Sequence, residues 1–109
     1  MIAVRFSIDK ESASYNMRLS GHAGAAQKGQ DIVCSAASIL AYTVAQVAKL
    51  MHERGFLECE PLIELGDGDA TISMRPTAEG QAEVQHTLFV ARTGYSLLAH
   101  NYPQYVELT

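Results

Sequence analysis

The sequence contains no tryptophan, two cysteines and three prolines among its 109 residues. Two cysteines cannot build a disulfide framework, so the fold must rest on a packed core, for which this length suffices. Basic charge is also scarce. Eight Lys and Arg stand against twelve Asp and Glu, a net charge of −4. A general nucleic-acid binder usually shows a basic stripe, and that class is set aside; a basic peptide would be attracted instead. No secretory leader is visible, because Met1–Ser7 alternates rather than forming an apolar block. The longest uncharged run is Ile32–Ala48. That run is near the lower length limit for a membrane span and carries Ser35, Ser38, Tyr42, Thr43 and Gln46, so it reads as a buried helix. There is no repeat, linker or low-complexity tract. The expectation is a single domain over residues 1–109, soluble and cytoplasmic, with reduced thiols.

Periodicity supplies the elements. Ile2, Val4, Phe6 and Ile8 alternate with Ala3, Arg5 and Ser7, and Tyr15, Met17 and Leu19 with Asn16 and Arg18. Two half-buried strands joined as a hairpin follow from period two. A glycine-bearing loop, Gly21–Gln30, comes next. Asp31 then stands where a helix N-cap belongs, before Val33, Ala37, Leu40, Val44, Val47 and Met51 at helical spacing. Gly55 suits the position just past that helix. Leu57, Cys59, Ile63 and Leu65 form the apolar phase of a further strand, with Cys59 read as core and Pro61 marking an edge or bulge. Gly66-Asp67-Gly68-Asp69 is a turn, and Ala70, Ile72 and Met74 return from it. Thr77 can cap a second helix whose buried face is Val84, Leu88, Ala91, Tyr95 and Leu98, although Gly94 costs that helix about 1 kcal/mol against alanine. Tyr105–Leu108 can add a last strand. The fold class is α+β, in the order ββαββα, with two helices on one mixed or antiparallel sheet. The strand order is not readable.

Cys34 falls three positions after the capping Asp31, in the first turn of the long helix. The unpaired amides there act as roughly half a positive charge, a field that favours thiolate, the reactive form of cysteine. Helix-start amides, with Cys34's own N–H among them, could also receive a developing oxyanion. Asp31 opposes this, since its carboxylate competes for the same amides. His22 lies twelve residues earlier on the loop leading into the helix, within reach of Cys34 as proton acceptor and later donor. Asp31 could orient the imidazole, and Ser38, one helical turn beyond Cys34, could support the thiol. The glycines argue for a loose pair in the free protein, with His22 and Cys34 further apart than a hydrogen bond. Read from spacing alone, other assignments stay open. A cysteine in an apolar helix is commonly core, a loop histidine is commonly solvated, Asp31 can be a cap and nothing more, and Ser38 can bond a preceding carbonyl. A thiol redox sensor and a non-catalytic binding module or chaperone for a basic partner are the competing functions. A zinc site from His22, Cys34, Cys59 and another histidine lacks any close paired motif, so no metal or cofactor is expected.

Gly21-His22-Ala23-Gly24, then Gly29, then Asp31-Ile32-Val33-Cys34-Ser35-Ala36-Ala37-Ser38 resembles the signature of the ribosomal-processing cysteine protease Prp family. The length and the closing Tyr102-Pro103 region fit as well, so the resemblance covers essentially the whole chain. Alanine is usual after the family's cysteine, and Ser35 is a departure. The resemblance implies a cysteine endopeptidase with His22 and Cys34 catalytic and Asp31 and Ser38 in supporting positions. It implies a substrate loop over residues 24–30, flanked or lined by Gly21, Gly24 and Gly29. It further implies a homodimer that removes a short N-terminal extension from a large-subunit ribosomal protein of the L-twenty-seven type, with no nucleic acid or membrane as partner.

Overall fold

The structure is a computed structural model and describes residues 1–23 and 31–109. The elements run β1 (Ile2–Asp9), β2 (Ser14–Ser20), α1 (Ile32–Glu53), β3 (Leu62–Gly66), β4 (Asp69–Met74), α2 (Gln81–Asn101) and β5 (Val106–Leu108). The five strands form one sheet in the order β3-β4-β2-β1-β5. Each hairpin is antiparallel, β2 joins them by pairing antiparallel with β4, and β5 lies parallel to β1. The expected α+β class and element order hold, and the sheet is mixed because of β5.

Register explains the single buried face. Leu19 stands between Val4 and Ala70, and Met17 between Phe6 and Ile72. All six point the same way, and Val4, Met17, Leu19, Ala70 and Ile72 are buried. Arg5, Arg18 and Thr71 fall in register on the opposite face, where Arg18 meets Asp69 at 3.4 Å across exposed surface. Both helices lay their apolar stripes on the first face. Val33, Ala37, Val44 and Met51 of α1 and Val84, Ala91 and Tyr95 of α2 are buried there as anticipated. Alanines at 41, 45 and 48 add to the buried face of α1. The helix is long and apolar enough to cross a membrane by length and composition, but here it spends that apolar face on the sheet.

Local signals act where they fall. Asp31 caps α1 by accepting from the Val33 and Cys34 amides. At the other end the Gly55 amide donates to the His52 carbonyl and the Phe56 amide to the Met51 carbonyl, the paired bonds that close a helix on a left-handed residue. Gly94 does not break α2. A Cβ there would lie 3.0 Å from both methyl carbons of Leu40, so the missing side chain lets α2 approach α1. Thr77 accepts from the Gly80 amide at 3.1 Å, yet the α-helix proper starts only at Gln81.

Three expectations fail. Cys59 is exposed rather than core, because regular pairing begins only at Leu62 and the chain before it makes a single bridge, Leu57 to Pro76. Leu65 is 44% exposed and Ile8 61% exposed despite their phase. Leu65 lies on an edge strand and Ile8 beside the turn of the first hairpin, where little remains to cover the sheet.

Candidate active site

Three segments meet at one edge of the sheet: the end of β2 with Gly21–Ala23, the first turns of α1, and the β3–β4 turn. Between them lies a cleft of about 880 Å³. Cys34, Ser38 and Ala41 line one wall from α1, and Leu65 to Ala70 line the other. Ile2 and Leu19 supply its apolar base, and His22 and Asp31 also face it. The structure therefore brings together His22, Cys34, Asp31, Ser38 and Gly21. Gly24 and Gly29 lie outside the described residues.

Cys34 is partly buried, in the first turn of α1. Its Sγ accepts a hydrogen bond from the Ala23 amide at 3.3 Å. No hydrogen bond between the His22 side chain and Cys34 occurs among the described residues. The imidazole stands instead against the β3–β4 turn. A Cβ on Gly68 would lie 2.5 Å from His22 Nε2 and 2.9 Å from Cε1. Gly68 has φ +72°, so its lack of a side chain serves both the turn and the ring beside it. The Gly21 amide donates to the Gly68 carbonyl at 2.8 Å, which ties the histidine segment to that turn.

Asp31 is 5% exposed. Its Oδ1 accepts from the Val33 amide at 2.9 Å and the Cys34 amide at 3.1 Å, and its carbonyl oxygen accepts from the Ser35 amide at 3.0 Å. The Cys34 N–H is thus engaged by the cap and is not the open oxyanion donor that its helix position suggested. Ser38 sits one turn along the same wall. Sequence reasoning missed two contributors, Ala23 and Gly68. Ala23 acts through its backbone, which leaves no compositional trace. Gly68 was read as a turn residue, and only the fold shows what leans on it. Among the described residues no group of three His, Cys, Asp or Glu side chains is placed to hold a metal ion.

A thiol at a helix start and an imidazole on the facing loop thus line one cleft. The family profile described as cysteine protease Prp matches residues 1–107, and the chain belongs to that family; it is a cysteine-type peptidase. A search of curated proteins gave no match. Among solved structures, the chain is similar to the essential ribosomal processing protease Prp from S. aureus in complex with a covalently linked product peptide. The TM-score is 0.76 at 23% identity, covering 100% of this chain and 98% of that one. The same S. aureus protease with a substrate peptide gives 0.68 at 21% identity, over 100% and 98% of the two chains. SMU.848 from Streptococcus mutans gives 0.69 at 25% identity, over 100% and 92%.

Proposed function

We propose that this chain is a cytoplasmic endopeptidase that removes a short N-terminal extension from a large-subunit ribosomal protein of the L-twenty-seven type. In this reading Cys34 is the nucleophile and His22 the general base and acid. The observation that carries it is the placement of Cys34 at the start of α1, in a cleft that His22 also lines. The cleft suits an extended peptide, since its base is apolar, and the net charge of −4 is in keeping with a basic protein as substrate. The S. aureus relative, a ribosomal processing protease with peptide complexes, supports the substrate class.

The chemistry proceeds in two halves. The Cys34 thiolate attacks the scissile carbonyl carbon after His22 takes the thiol proton. The tetrahedral intermediate collapses to a thioester as His22 returns that proton to the leaving amine. Water, deprotonated by His22, then attacks the thioester and frees Cys34. Substrate in the cleft closes the pair to hydrogen-bond distance, with Gly68 still behind the His22 ring. Asp31 holds the start of α1, and Ser38 bounds the cleft behind the thiol. Residues 1–109 act as one protease domain.

We also propose a homodimer. The exposed side of α1 carries Ile32, Ile39 and Leu50, and no charge occurs from residue 32 to 48. An uncharged outer helix face of that length suits a second copy.

The test is incubation with an extended ribosomal protein of that type, followed by intact mass measurement. The chain should release one N-terminal peptide, and Cys34→Ala should release none while keeping the wild-type circular dichroism. A folded Cys34→Ala protein that still cleaves would sink the assignment.

A further inference from the structure

We infer that the Ala23 backbone N–H is the oxyanion donor of this site. The inference rests on Cys34 being the nucleophile, as proposed above.

A helix start is the usual place to look for such a donor, but here the nearby amides are taken. Asp31 holds the Val33, Cys34 and Ser35 N–H groups, at 2.9, 3.1 and 3.0 Å. Among the described residues, the N–H directed at the sulfur is that of Ala23, at 3.3 Å. An oxyanion formed by attack of that sulfur lies two bonds from it, so a donor already beside the sulfur is within reach of the oxygen. Charge moves in the same direction. In the resting state the N–H faces the sulfur. During attack the new S–C bond forms, the carbonyl π pair moves onto oxygen, and the sulfur loses its negative charge. A fixed donor at this position gives up its contact with sulfur for a stronger one with the charged oxygen, and that difference is what lowers the barrier.

The donor is also held in place. The His22 carbonyl belongs to the same peptide unit as the Ala23 N–H, and it accepts from the Met1 nitrogen at 2.5 Å. One residue earlier, the Gly21 amide is bound to the Gly68 carbonyl at 2.8 Å. The Ala23 side chain is 5% exposed and part of the core cluster. The peptide unit is thus anchored on its carbonyl side and by the methyl group beyond it. Little reorganisation is left for the moment of reaction. The same unit joins His22 to Ala23, so base and donor come from adjacent residues.

The test replaces the Ala23 amide by an ester. A synthetic segment 1–33 carrying L-lactate at position 23 is ligated to residues 34–109 through Cys34 itself, giving the full chain without that one N–H. Two reactions are then compared at Cys34. Acylation by p-nitrophenyl acetate passes through a tetrahedral oxyanion: the S–C bond forms, the aryl C–O bond breaks, and p-nitrophenolate leaves. Alkylation by iodoacetamide passes through none and expels iodide. Acylation should slow about 10²-fold in the ester chain, while alkylation stays within a few-fold of the all-amide chain. Equal acylation rates in the two chains would overturn the inference. An all-amide chain acylated elsewhere than Cys34 would instead overturn the nucleophile assignment beneath it. If the ester chain does not regain the wild-type circular dichroism, the unmodified chain decides. Excess acetaldehyde adds to Cys34 as a hemithioacetal, and the Ala23 amide proton should move downfield in the nitrogen-correlated spectrum. An Ala23 resonance that stays in place while Cys34 is modified counts against the donor.

Discussion

Tyr95 donates its hydroxyl hydrogen to the Ala37 carbonyl at 2.8 Å, which pins α2 to α1 one turn beyond Cys34. The ring is fully buried and tilts against Phe6 with centroids 6.1 Å apart. Burial pushes the phenol well above its ordinary range. Below about pH 10 it is protonated in folded and unfolded chains alike, and its contribution is fully present. Above that the unfolded phenol ionises first, so stability falls with rising pH until the folded phenol also ionises. Tyr95→Phe should cost about 1 kcal/mol at neutral pH and flatten the alkaline limb. Urea unfolding at a series of pH values reads both, and identical alkaline slopes would refute it.

Gly68 and Gly55 form a matched pair. Both have positive φ, +72° and +77°. A Cβ at Gly55 meets nothing within 4 Å, whereas one at Gly68 meets the His22 ring. Alanine at either should lower stability by about 1 kcal/mol through its backbone. Only Gly68→Ala should lower kcat/KM, by roughly tenfold or more, because it moves the base. Equal activity in the two variants would show that the seat of His22 does not matter.

Asp31 accepts from the Val33 and Cys34 amides, and that capping sets an expectation for its variants. Asn caps as well as Asp, and Ala does not. Asp31→Ala is expected to lose about 1 kcal/mol of stability, and Asp31→Asn little stability or activity. If Asp31→Asn folds normally but loses 10²-fold in kcat, the carboxylate orients His22 in the working complex.

Much of this was legible in advance because the signals were local. Asp31 before an apolar stripe names a cap wherever it occurs, and Gly55 names the end of the same helix. The hairpins announce themselves through period two and their turns. What was not legible depends on distant pairing. Cys59 shares the phase of Ile63, but phase says nothing about whether the sheet extends that far. Gly94 reads as a defect until Leu40, from another helix, arrives against it. At the site, side-chain chemistry offered His22 and Cys34 as candidates, and the resemblance to the family singled them out. The engagement of the Cys34 amide and the direction of the Ala23 amide were not, since every residue has an N–H and only geometry separates them.

The pairing of β1 with β5 has a temporal consequence. Ile2 to Val4 stand beside Val106 to Leu108, and the Ile2 amide donates to the Tyr105 carbonyl at 2.8 Å. The Met1 nitrogen that anchors the His22 carbonyl leads directly into this strand. During synthesis the first hairpin emerges early, but its outer partner is made some hundred residues later. Contacts so far apart in sequence close slowly. The strand that leads into the Met1 anchor therefore gains its outer partner last, and the sheet is complete only when residues 106–108 have joined it.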